Sequence, residues 1–262
     1  MKIFTKTELI TMLKNIRDRG WIKNERGKND GAIGNTLEDL LGIEENNLPI
    51  PNASEWELKT SRNGTTALTS LFHMEPSPRA LRLVPHLLLP FYGWRHQKAG
   101  TKYPDTEMSF RQTIYAKKPS DRGFAVVVDW DEEKVEISFD ADAVGEHQAD
   151  WLAWVAERVG LDELNPQPYW GFSDLTHKAG TKLKNMFFVQ ATRKRIDGQQ
   201  YFHYDRAIML SGFSSKKFIQ AIADSQVYID FDARTGHNHG TKFRIRQNII
   251  PDLYEKQEIL FD

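Results

Sequence analysis

Glu57-Leu-Lys59 combines two groups that metal-assisted phosphodiester hydrolysis requires. A carboxylate can hold a hard divalent ion near the scissile phosphate, and a cation can orient or activate the attacking water. Residues two apart on a strand point the same way, so Glu55, Glu57 and Lys59 would share one face and Trp56 and Leu58 the other. Pro51-Asn52 precedes this segment and Glu38 lies further upstream. Glu-x-Lys also arises by chance on solvated strand faces, so the pair needs context. A second constellation runs from Asp230 through Arg234, His237, Asn238, His239, Lys242 and Arg244 to Arg246. Arg, His and Asn present donors to guanine edges, and Asp accepts from cytosine N4, which favours base recognition. The His237-x-His239 pair could instead ligate a transition metal, but the chain has no cysteine and signals no further ligand at a diagnostic spacing. Incidental histidines in a loop are the plain alternative.

The elements that must position these groups can be placed from local signals. Thr5 to Glu8 has the form of a capping box, and Leu9, Ile10, Leu13 and Ile16 follow at helical spacing, predicting a helix over 6–19. A short helix is expected over Asn35–Leu41, stopped by Gly42, then a loop over 46–52 and a strand over 55–60. The runs 68–72 and 81–89 are apolar but of undecided type. Strands 124–130 and 135–139 flank a turn, and Ala149–Val159 is expected to be helical. Ser173–Asn185 reads as helix, 186–192 as strand, and Asp197-Gly198 as the hairpin turn into 201–210. A helix over 214–223 and strands over 226–232 and 242–246 complete an α+β chain.

The 262 residues have a formal net charge of −1, a total that by itself speaks against a nucleic-acid partner. The total hides segregation. Residues 123–166 hold 2 basic and 12 acidic groups, so the rest of the chain is net basic. Lys23, Arg26, Lys28, Arg62, Arg95, Lys98, Lys102 and Arg111 could serve as phosphate contacts. Without cysteine there is no disulfide framework and no thiol nucleophile. No apolar run approaches a membrane span, and the charged N-terminus lacks a signal-peptide pattern, so a cytoplasmic address is expected.

Asp30-Gly-Ala-Ile-Gly-Asn-Thr-Leu-Glu38-Asp-Leu-Leu-Gly42, Glu45-Asn-Asn-Leu48 and Glu55-Trp-Glu-Leu-Lys59 together resemble the N-terminal region of the MvaI/BcnI family of type II restriction endonucleases, within the PD-(D/E)xK superfamily. The resemblance continues through Leu68-Thr-Ser-Leu-Phe-His73, 124–130, Tyr169-Trp-Gly-Phe172, the Asp197-Gly198 hairpin and Gly236–Ile245. It implies a PD-(D/E)xK restriction-endonuclease-like core and a second, DNA-recognition lobe. The expected division is a mainly catalytic part over 1–122 and a mainly recognition part over 123–262, the latter able to lend strands to the core.

The resemblance also implies roles. Glu57 matches the metal-binding glutamate, Lys59 the lysine that positions the water nucleophile, and Glu38 a supporting glutamate. The cofactor implied is Mg²⁺, with Mn²⁺ or Ca²⁺ able to substitute for binding. Asp230, His237, Asn238 and His239, with Arg244, match sequence-reading positions, although the family usually shows Asp where Asn238 stands. His73 matches a histidine near the central base pair; beside Phe72 it is equally readable as a core residue. The expected partner is double-stranded DNA at a short CC-N-GG-type site, cut by a monomer that nicks the strands in turn. A cognate methyltransferase without direct contact, and no membrane, complete the implied setting. The family's second metal-binding acid falls on Asn52, where an amide offers one neutral oxygen and weaker Mg²⁺ affinity. Three origins of that amide stay open: an engineered replacement of aspartate, a natural lineage in which Glu38 or Glu55 supplies the charge, or a binding-only protein. A nickase similar to MutH and a non-catalytic sequence-specific DNA-binding protein are the competing functions.

Overall fold

The computed structural model describes residues 4–27, 31–43 and 56–262. Asn52, Glu55, Lys28 and the loop expected over 46–52 lie outside the described residues. In chain order the elements are α1 (Lys6–Asp18), β1 (Ile22–Lys23), α2 (Ala32–Leu41), β2 (Trp56–Arg62) and β3 (Leu68–His73). A π-helical turn (Val84–Leu88) then runs into α3 (Leu89–Tyr92), followed by β4 (Trp94–Arg95), β5 (Met108–Ile114), β6 (Arg122–Asp129), β7 (Lys134–Val144) and α4 (Ala149–Val159). The remainder comprises β8 (Tyr169–Gly171), α5 (Phe172–Leu183), β9 (Asn185–Ile196), β10 (Gln199–Phe213), α6 (Ser215–Ala223), β11 (Val227–Arg234), β12 (His237–Asn238), β13 (Lys242–Arg246) and β14 (Tyr254–Phe261). The α+β expectation holds. Among the described residues no helix is long and apolar enough to cross a membrane.

The chain divides into two compact units that interleave in sequence. Unit 1 comprises Met1–Ala67, Lys178–Ser215 and Gln247–Asp262; unit 2 comprises Leu68–His177 and Lys216–Arg246. A single cut at 122/123 therefore does not coincide with the division. The reason is strand pairing: β2 finds its neighbour β9 more than a hundred residues downstream, and β10 pairs with the C-terminal β14.

Unit 1 is built on a sheet ordered β1-β10-β9-β2, with β14 also paired to β10. Met186 to Val189 of β9 are all buried, the continuous apolar run expected of an interior strand with a parallel partner. Asp197 and Gly198 both take positive φ in the β9–β10 turn, which the right-handed strand twist favours. Thr5 and Glu8 form the reciprocal capping box of α1, and Gly42 ends α2 at φ +68°. Leu9, Leu13 and Ile16 of α1 and Ile33, Leu37 and Leu41 of α2 share one core with Leu58, Phe187, Val189, Phe202 and Met209. Each such side chain contributes on the order of 1.5–3 kcal/mol when removed from water. The buried Tyr204 hydroxyl donates to the Ile33 carbonyl at 2.8 Å, tying β10 to α2. Because Leu58 faces these helices, strand alternation sends Glu57 and Lys59 out of the other face.

Unit 2 holds a sheet ordered β3-β13-β11-β5-β4, with β12 on β11, and a smaller β6-β7-β8 sheet. Phe110, Phe124, Phe231, Phe243 and Trp170 are fully buried, and Phe110 packs edge-on against both Phe124 and Phe231. Along β11, Val227, Ile229, Phe231 and Ala233 point inward. Tyr228, Asp230, Asp232 and Arg234 consequently line the outer face.

Candidate active site and recognition face

In unit 1, β2 brings Glu57 and Lys59 together, with Lys59 Nζ 3.0 Å from Glu57 Oε1. The Glu57 side chain is 3% exposed, and its Oε2 has no hydrogen-bond partner among the described residues. A buried carboxylate oxygen without a donor is costly, and a bound hard cation would satisfy it. Its charge is felt nearby. Tyr254 at the start of β14 has its phenol pushed well up, first by burial and then by the Glu57 charge. Lys182, on the last turn of α5, has its ammonium pushed down by burial; Glu57 opposes that shift, while Lys59 and Lys178 add to it. Composition and spacing in the sequence did not point to Lys182, because its relation to Glu57 depends on β9 pairing with β2. Glu38 is half-buried on α2, next to the buried Leu37.

In unit 2 the outer face of the larger sheet gathers most of the second constellation. Asp230 accepts from the Thr113 hydroxyl at 2.7 Å, and Arg244 Nη1 lies 3.4 Å from its other oxygen. Lys242 Nζ stands 3.6 Å and Arg111 Nε 3.5 Å from Asp232. With Ser70 and Gln112 these groups line a polar cavity of about 490 Å³. Asp232, Thr113, Gln112 and Ser70 went unremarked in the sequence, although the period-2 spacing of Asp230 and Asp232 was the signal for a shared face. His73 ends β3, is exposed, and is the register partner of Lys242.

The loop residues are arranged differently. His237 and His239 meet edge-on with ring centroids 4.2 Å apart. Among the described residues no three His, Asp or Glu side chains converge as a metal-holding group. Asn238 Oδ1 accepts from the Gly240 amide at 2.9 Å, and the His239 amide donates to the Asp232 carbonyl at 3.0 Å, so both shape the loop. Arg234 is engaged within the fold. Its Nη1 lies 2.9 Å from Oε1 of the buried Glu107, and its guanidinium sits over the Tyr103 ring.

Unit 1 thus carries Glu-x-Lys on a strand with a parallel partner, in a mixed sheet backed by helices. The structure of restriction endonuclease MvaI in complex with its cognate DNA substrate matches with a TM-score of 0.74 at 22% identity, covering 98% of this chain and 99% of that one. The structure of MvaI in the absence of DNA matches with a TM-score of 0.56 at 21% identity, covering 99% and 100%. No curated relative matches the chain in sequence. Residues 10–254 match the MvaI/BcnI restriction endonuclease family, and the chain belongs to that family. It is accordingly a nuclease of the restriction endonuclease class.

Proposed function

We propose that the chain is a type II, Mg²⁺-dependent site-specific deoxyribonuclease that binds double-stranded DNA as a monomer and nicks its strands in turn at a CC-N-GG-type site. The observation that carries this reading is the buried Glu57 carboxylate, with one oxygen held by Lys59 and the other without a donor among the described residues. Glu57, with the side chain at position 52, would hold the ion. A bound divalent ion supplies electrostatic stabilisation of charge developing on the phosphate. Lys59 orients the attacking water and stabilises the charge that builds beside it. The outer face of β11 and β13 reads sequence: Asp230 accepts from a cytosine amine, and Arg244 and Lys242 donate to guanine. His73 and the His237–His239 loop add contacts to the same duplex. A methyltransferase acting on the same site would protect the host without touching this chain.

Asn52 makes a non-catalytic DNA-binding protein the second reading, and a MutH-like nickase the third. Plasmid digestion with Mg²⁺ by the chain and by its Asn52→Asp variant, followed by end mapping, separates them. Two-strand breaks at fixed sites, faster in the variant, are expected. Single nicks alone would indicate the nickase. Mobility shifts without cuts in either protein would indicate a binding protein, and neither cuts nor shifts would overturn the proposal.

A further inference from the structure

Lys178 and Lys182 stand four residues apart on α5, so they share one flank of the helix. The buried stripe Leu175, Ala179 and Leu183 runs beside them, and both lysines are only partly exposed. Two residues after Leu183 the chain enters β9 at Asn185, the register partner of Trp56, so α5 ends at the end of β2 that carries Glu57. Lys182 feels the charges of Glu57, Lys59 and Lys178. Lys59 is already paired with Glu57. Among the described residues Lys182 thus feels one carboxylate, Glu57, against two further ammonium groups, Lys59 and Lys178.

Such an arrangement costs stability. Like charges at this helical spacing repel, and a partly buried ammonium loses hydration that only a counter-charge restores. Among the described residues neither Lys178 nor Lys182 makes a hydrogen bond or ion pair of its own. A fold that places unmatched cations beside a hydrolytic Glu-x-Lys is suited to an anion that arrives with the substrate.

We propose that Lys182, assisted by Lys178, grips a backbone phosphate of the DNA next to the scissile one and so positions the strand over Glu57 and Lys59. The inference rests on the nuclease reading above. Lys182 contacts the non-reacting phosphate as a point charge, and takes no part in bond making or breaking.

The test is a phosphate scan that needs no turnover. Duplexes of about 20 base pairs, each carrying one CC-N-GG sequence, receive a neutral methylphosphonate at one backbone position at a time, and binding is measured in Ca²⁺. For the wild-type chain one position near the centre should weaken binding about tenfold, the loss expected for one charged contact. K182M, which keeps the apolar stem, should bind the unmodified duplex about tenfold less tightly and lose nothing further at that position. K182R should restore both. If K182M melts below the assay temperature, K182Q and K178M are scored in the same way. A K182M profile identical to wild type, or unmodified binding unchanged, overturns the inference while leaving the nuclease reading in place. Failure of the wild-type chain to bind any of the duplexes overturns both.

Discussion

Lys59 Nζ stands 3.0 Å from Glu57 Oε1 on the edge strand β2, while the other oxygen of that carboxylate is buried without a donor among the described residues. The ammonium thus holds one oxygen, and the second is the one a divalent ion would take in the proposed function. Removing Lys59 should separate chemistry from binding. In the Asn52→Asp background, Lys59→Ala is expected to reduce plasmid cutting by about a hundredfold or more while changing duplex affinity less than about threefold. Normal cutting by that variant would show that the active site lies elsewhere.

Glu57 should matter to both stability and activity. Glu57→Gln keeps the shape but removes the counter-charge of Lys59 and of the nearby Lys182, so the variant should unfold at a lower denaturant concentration than wild type, a loss of about 1–3 kcal/mol. It should also lose cutting and any Mg²⁺-dependent rise in Tm. Unchanged or higher stability would mean that the neighbouring ammonium groups do not depend on the Glu57 charge.

Arg234 offers the opposite case. Truncating it to Ala leaves Glu107 buried and unpaired, which should destabilise the protein by about 2–3 kcal/mol. Adding Glu107→Gln should recover much of that loss in a double-mutant cycle. If Arg234→Ala unfolds like wild type and only DNA affinity falls, the ion pair contributes little and the side chain serves the ligand alone.

Asp39 and Arg26 provide a pH dependence of known sign. The Arg26 hydrogen bonds hold the Asp39 carboxyl below the ordinary carboxylate range. A depressed folded-state pKa adds stability above the unfolded value, and that stability is lost as pH falls through the folded one. Both side chains are nearly half exposed, so Asp39→Asn should cost only about 0.2–1 kcal/mol at neutral pH and nothing near pH 2. Urea melts across that range, repeated in high salt, should show the difference shrinking in both directions of change. A constant difference would rule out the pair as its source.

Features encoded by neighbouring residues were legible in the sequence: the Thr5–Glu8 cap, the Gly42 stop, the Asp197-Gly198 turn and the alternation that puts Glu57 beside Lys59. The run 81–89 was not, because Pro85 and Pro90 sit at the starts of helical turns only four or five residues long, too short to show a period. Strand β14 escaped notice for a related reason: as an edge strand it buries little beyond Tyr254 and Phe261, so its sequence lacks alternation. The unit boundaries and the position of Lys182 depend on β2 meeting β9, which no local pattern encodes. Asn52 was conspicuous in sequence and lies outside the described residues, so its role rests with the Asn52→Asp comparison.

The pairing of β2 with β9 also sets when the buried Glu57–Lys59 pair can form. Trp56 waits for Asn185, and β10 pairs in turn with β14, so Glu57 and Lys59 cannot take up this arrangement before those later strands exist. Closing so long a loop is entropically slow compared with forming a local hairpin. A chain in which β9 has not yet been made thus lacks the neighbour on which the Glu57–Lys59 arrangement depends, however early those two residues are synthesised.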